Sequence, residues 1–184
     1  MRYSLVEPPQ PTHTGNKIEV LEFSNYECPY CFQLHQVIDT WAKQHAEEVE
    51  LVFVPSLTEG RWVPASFEPM TRTFYALEAL GQHKRLNDDL FNAWNVNKTP
   101  LQDEAQITSF AVKHGVDRKK FTAAYNSPAV IQKVARAKEL WKIYGLKGTP
   151  SLVVDGKYRL LGMRDWTIKQ LNEVMDKVRK EHGR

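Results

Sequence analysis

Cys28-Pro29-Tyr30-Cys31 stands between two segments of different periodicity, and that junction decides the fold. Ahead of it, Ile18 to Phe23 is a short run with Ile18 and Val20 on one face and Leu21 and Phe23 on the other, the pattern of a central strand covered on both sides. Behind it, Leu34, Val37, Ile38 and Trp41 recur at i, i+3, i+4 and i+7, one face of a helix. The motif therefore opens a helix where a strand ends. Pro29 suits the first helical position, because its missing N–H has no intrahelical partner there and its φ is already helical. Cys28 is then the N-cap, with its sulfur near the unbonded amides and the positive end of the helix dipole. That setting favours a thiolate, the form that attacks disulfides and leaves from them. Cys31, one turn inside, is expected to be shielded.

Three readings of the two cysteines stand open on the motif alone. A redox pair needs an exposed acidic sulfur beside a shielded one, and the spacing supplies it. A structural staple closing only two intervening residues removes little chain entropy. Cys28, Cys31 and His35 also form C-x2-C-x3-H, which leaves a tetrahedral zinc site one ligand short with no second Cys/His cluster in the chain. With 184 residues, 42% of them hydrophobic and 26% charged, the chain has enough material for one large domain or a domain with an insertion. The longest apolar runs are far short of a membrane span. A net charge of +3 is too weak and dispersed to point to nucleic acid; the basic groups Arg136, Lys138, Lys142, Lys147 and Lys177, Arg179, Lys180, Arg184 read as solvated helix faces and a tail. Met1 is followed by Arg-Tyr-Ser and a proline-rich stretch rather than an apolar signal core, so either the protein is cytoplasmic or a signal has been removed. Nothing resembles a dimerisation segment, and a monomer is expected.

Taken in order, Arg2 to Val6 predicts a short edge strand, and Pro8, Pro9 and Pro11 exclude regular structure up to Gly15. Lys17 to Asn25 is a central strand on which Glu22 is the exception, sharing a face with Ile18 and Val20. A helix from Pro29 to about Ala46 and a strand from Val49 to Val54 follow, and a strand-helix-strand unit predicts parallel strands. After a loop over 55 to 65 the pattern turns wholly helical. Phe74, Ala76, Leu77 and Leu80 mark one helix, Leu86, Leu90, Phe91 and Trp94 a second. Ile107, Phe110 and Ala111 behind Asp103 mark a third, and Phe121 and Tyr125 behind Asp117 a fourth. Ser127-Pro128 opens a long helix ending at Gly145. Gly148-Thr149-Pro150 leads into a strand, Ser151 to Val154, then a two-residue turn at Asp155-Gly156 and a partner strand, Lys157 to Leu161. Asp165 caps a last helix with Trp166, Ile168, Leu171, Met175 and Val178 inside. A β-α-β unit and an α-β-β-α unit sharing one sheet is the thioredoxin arrangement, here interrupted by helices. The expected class is α/β, a thioredoxin fold with an inserted all-helical domain: 1–64 and 128–184 form the outer, discontinuous domain and 65–127 the insert.

Val20-Leu21-Glu22-Phe23 running into Cys28-Pro29-Tyr30-Cys31-Phe32, the helical block, Gly148-Thr149-Pro150-Ser151-Leu152, and Tyr3-x-Leu5-x-x-Pro8 at the start resemble bacterial thiol:disulfide interchange proteins of the DsbA type over nearly the whole chain. The resemblance implies that Cys28 is the nucleophilic and leaving sulfur, that Cys31 resolves, and that Pro150 follows a cis peptide bond beside the disulfide. Thr149 would then pair with an extended substrate, and Pro29, Tyr30, Thr149 and Pro150 would form a loosely binding apolar surface. Glu22 matches the family's acidic residue beneath the active site, where it would exchange a proton with Cys31; the alternative is a solvent-facing or salt-bridged strand glutamate. The family's basic partner has no match, since Glu50-Leu51-Val52 carries no lysine. Glu27 reads as solvated and His35 as a helix-surface residue.

The implied activity is donation of the Cys28–Cys31 disulfide to reduced, unfolded secreted proteins through a mixed disulfide, with reoxidation by a membrane-bound partner and a periplasmic location. No cofactor or metal is implied, and no nucleic acid. The alternatives are a thioredoxin-like reductase or isomerase and a metal-binding module. Pro-Tyr between the cysteines is neither of the best-known dipeptides; an oxidising pair is expected.

Overall fold

The computed structural model describes residues 3–56, 67–160 and 168–183. Its elements follow the order β1 (Tyr3–Leu5), β2 (Ile18–Ser24), α1 (Pro29–Gln44), β3 (Val49–Pro55), α2 (Phe67–Ala79), α3 (His83–Asn95), α4 (Glu104–Lys113), α5 (Arg118–Tyr125), α6 (Pro128–Ile143), β4 (Ser151–Val154), β5 (Tyr158–Leu160) and α7 (Ile168–Glu181). The chain forms two compact units.

The first unit holds the five-stranded sheet, ordered β1-β5-β4-β2-β3, together with α1 and α7. Antiparallel pairing joins β1 to β5, β5 to β4 and β4 to β2, and the last pair sets Glu22 opposite Leu152 and Val20 opposite Val154. Every residue of β2 is buried, as its two-faced apolar pattern requires. Ile18 and Val20 with Leu152, Val154 and Leu160 form one core with Leu34, Ile38 and Trp41 of α1 and Leu171, Val174, Met175 and Val178 of α7. Val37 does not join them and is 50% exposed. The buried stripe of α1 runs through Cys31, Leu34, Ile38 and Trp41, and Val37 lies one step to its side. Asp155 and Gly156 both take positive φ, 54° and 63°, and the Lys157 amide donates to the Val154 carbonyl, so the β4–β5 turn is the type I′ turn that Asp-Gly predicts. The caps expected at Asp165 and the packing of Trp166 lie outside the described residues.

The second unit holds α2 to α6 and the short segment Asn25–Pro29. Asp103 and Asp117 cap α4 and α5, their carboxylates accepting from the Gln106 and Lys120 amides. Gly81 and Gly115 close α2 and α4 in the left-handed region. The expected insert stops at 127, whereas this unit runs on through Ile143. The reason is packing: Val130 and Val134 of α6 are buried with Phe67 and Tyr75 of α2 against them. No helix among the described residues is long and apolar enough to cross a membrane.

Candidate active site

Between the last residue of β2 and the first of α1 the chain makes a tight turn. The Asn25 side chain accepts from the Glu27 amide at 2.8 Å and the Asn25 carbonyl accepts from the Cys28 amide at 3.2 Å, an Asx-type turn. Tyr26 anchors it. Its hydroxyl donates to Asn87 Oδ1 at 2.6 Å, its carbonyl accepts from Asn95 Nδ2 at 2.8 Å, and its ring meets Phe91 edge-on at 4.9 Å. With α1 beginning at Pro29, Cys28 occupies the position immediately before the helix and Cys31 its first turn. Cys28 is half-buried and Cys31 fully buried. The first turn of α1 contains no acidic residue to compete with a thiolate for the helix's positive end. Glu27, expected in solvent, is half-buried, with its side-chain Oε1 out of reach of water.

Glu22 lies on the face of β2 that packs on α1, 1% exposed, opposite the apolar Leu152. A solvent-facing strand glutamate is therefore ruled out. Burial lifts its carboxyl from the ordinary 4.5 to about 7, while the charge of His35 and the Ser24 hydroxyl pull it down and Asp39 pushes it up. Its Oε1 has no partner within hydrogen-bonding distance among the described residues. A buried carboxyl with a free acceptor and a proton affinity near neutrality is equipped to take up and return a proton.

Thr149–Pro150 is cis, as the resemblance implies; a second cis bond, Glu7–Pro8, had no signal in the sequence. Pro150 is buried and Thr149 half-buried directly ahead of β4, where the Ser151 hydroxyl donates to the Gly148 carbonyl at 2.7 Å. Pro29 is exposed and Tyr30 is 40% exposed. His35 is half-buried rather than a plain surface residue, and its charge reaches Glu22. Among the described residues no three of His, Cys, Asp and Glu are placed to hold a metal ion, so Cys28, Cys31 and His35 do not close into a site. Asn25, Tyr26, Asn87 and Asn95 support the cysteine turn and were not legible beforehand. The only local hint is Asn25 three residues before Cys28, the spacing of a turn former.

Residues 19–171 match the model of the DSBA-like thioredoxin domain family. A thiol:disulfide interchange protein DsbA of Burkholderia cepacia is 34% identical over 158 residues, 85% of this chain and 72% of that one. Its namesake in Pseudomonas aeruginosa PAO1 is 30% identical over 181 residues, 96% of this chain and 83% of the other. The crystal structure of Pseudomonas aeruginosa DsbA superposes with a TM-score of 0.88 at 28% identity, covering 100% of this chain and 95% of that one. With a helix-opening C-x2-C, a cis proline ahead of β4 and these relatives, the chain belongs to the DSBA-like thioredoxin domain family.

Proposed function

We propose that this protein is a thiol:disulfide oxidoreductase that passes a Cys28–Cys31 disulfide to reduced proteins folding outside the cytoplasm. A substrate thiolate attacks the Cys28 sulfur, and the Cys28–Cys31 bond breaks with its electron pair going to Cys31, which takes up a proton from Glu22. A second substrate thiolate then attacks the substrate sulfur of the mixed disulfide, and Cys28 leaves as a thiolate. The substrate dithiol is oxidised and the enzyme disulfide reduced, two electrons in all. The observation that carries this reading is the placement of the pair: Cys28 half-buried just before Pro29 of α1 and Cys31 buried one turn in. Helix-end stabilisation of the Cys28 thiolate makes it a good leaving group and favours the dithiol form over the disulfide.

The exposed Pro29 and Tyr30 offer apolar surface to an extended substrate segment, and Thr149, half-buried ahead of β4, offers its backbone, Pro150 itself being buried. A membrane-bound partner returns the pair to the disulfide, the compartment is the periplasm, and the enzyme works as a monomer. Equilibration with glutathione tests the assignment. An oxidant comes to equilibrium well above the range of thioredoxin-like reductases, by on the order of 100 mV or about 5 kcal/mol for two electrons. Its reduced form is also the more resistant to denaturant. A potential in the reductase range, or a disulfide form more stable than the dithiol, would replace the oxidant with a reductase. Cys28→Ala abolishes exchange altogether.

A further inference from the structure

Asn87, Phe91 and Asn95 follow one another at intervals of four along α3 and so share one face of that helix. All three meet a single residue of the cysteine turn, Tyr26, which belongs to the same compact unit. Asn87 Oδ1 accepts from the Tyr26 hydroxyl at 2.6 Å, the Phe91 ring meets its ring at 4.9 Å, and Asn95 Nδ2 donates to its carbonyl at 2.8 Å. Asn95 Nδ2 also donates to the Phe91 carbonyl at 2.9 Å, one turn back, so the second proton of the amide fixes the direction of the first. Tyr26 is 2% exposed, which keeps water from taking the place of Asn95 at its carbonyl.

The Tyr26 carbonyl and the Glu27 amide are the two ends of one planar peptide group. Asn95 holds the carbonyl end, and Asn25 Oδ1, 2.8 Å from the Glu27 nitrogen, holds the amide end. The following peptide donates the Cys28 N–H to the Asn25 carbonyl at 3.2 Å. A peptide held at both ends cannot turn about the chain, and the direction in which the backbone enters Cys28 is thereby set. We propose that Asn95 is a positioning residue of the exchange reaction, fixing Cys28 immediately ahead of Pro29 through the Tyr26–Glu27 peptide. The proposal rests on the reading of Cys28 as the exchanging thiolate. Without the Asn95 donor the peptide is free to turn, Cys28 is held less firmly before the helix, and its thiolate loses part of the stabilisation that the helix start provides.

The test is a pH titration of the Cys28 thiolate in the dithiol protein, followed by its ultraviolet absorbance, together with equilibration against glutathione. Asn95→Leu keeps the bulk of the side chain and removes the donor. It is expected to raise the Cys28 midpoint by about one pH unit and to move the glutathione equilibrium about tenfold toward the disulfide. If Asn95→Leu does not fold, Asn95→Ala is read in the same way. Tyr26→Phe cuts only the hydroxyl bond to Asn87 and leaves the peptide held at both ends. It should lower stability in urea with a much smaller movement of the midpoint. An unmoved midpoint in the folded Asn95 variant, or an equal movement in Tyr26→Phe, overturns the proposal and leaves the reading of Cys28 standing. A wild-type Cys28 that titrates as an ordinary thiol, near pH ~8.5, strikes that reading and the proposal with it.

Discussion

Glu19 and Glu22 sit three residues apart on β2, point to opposite faces of the same sheet and are 3% and 1% exposed. Burial raises the proton affinity of both. Their surroundings differ in kind. Glu19 Oε2 accepts from the His13 amide at 2.9 Å, a bond that lowers its proton affinity and ties the proline-rich segment to the sheet. Glu22 has an Oε1 without a partner among the described residues, and the charge of His35 and the Ser24 hydroxyl act in its favour. A buried acid with its bond made is a fastener, whereas one left short of partners costs stability, which suits the proton exchange proposed for Glu22. Burial alone does not distinguish the two.

The sharpest way to break this comparison is Glu22→Leu. Below pH 4.5 the carboxyl is protonated whether the chain is folded or not, and the cost is absent. As pH rises toward 7 the unfolded chain ionises while the folded one resists, so stability is lost across that window and is level above it. A lift from 4.5 to about 7, at about 1.4 kcal/mol per pH unit, is worth about 3 kcal/mol. The stability of the variant relative to wild type should therefore grow by about 3 kcal/mol between pH 4 and pH 8 in urea titrations. A flat difference across that range would mean that Glu22 is satisfied by partners after all.

Gly156→Ala probes the other face. Gly156 has φ +63°, and a Cβ there would lie 2.1 Å from the Gln10 carbonyl oxygen, while the Gln10 amide donates to the Gly156 carbonyl at 3.0 Å. Alanine must strain the turn and push the proline-rich segment away, at about 2 kcal/mol. The loss should appear in urea titration, and the Glu19 carboxyl should shift while Glu22 titrates as before. Movement of Glu22 as well would show that the two faces are not independent.

Much of this arrangement was legible because it is local. Pro29 opens α1, Asp103 and Asp117 cap their helices, Asp155-Gly156 makes its turn, and each depends on residues within a few positions. The partners of Tyr26 are 61 and 69 residues away, and nothing in Ser24-Asn25-Tyr26 announces Asn87 or Asn95. Glu19 escaped notice because its partner is a backbone amide, which any residue type at position 13 would supply. Val37 misled for another reason: a helix face read from apolar residues alone omitted Cys31, whose burial turns the stripe away from Val37. The place of Glu22 on the α1 face followed from period two, but its charged neighbour on α1 required the packing of helix on sheet.

The smallest effect is expected from Glu19→Leu, and its sign is what matters. Leucine fills the site and removes a carboxylate from a buried position, but it also ends the bond from His13. The loss of the acceptor also leaves the His13 amide without its bond, and together these outweigh the relief by a little, a loss of about 1 kcal/mol at pH 7. That is opposite in direction to Glu22→Leu at the same pH. Amide exchange at His13 should accelerate about tenfold, the kinetic equivalent of about 1.4 kcal/mol, with exchange through β2 and β4 unchanged. Glu19→Gln, which keeps an acceptor oxygen, should hold His13 nearly as well. If Glu19→Leu stabilises the protein instead, the bond to His13 is too weak to separate a fastener from a working acid, and β2 carries two carboxyls buried at a net cost.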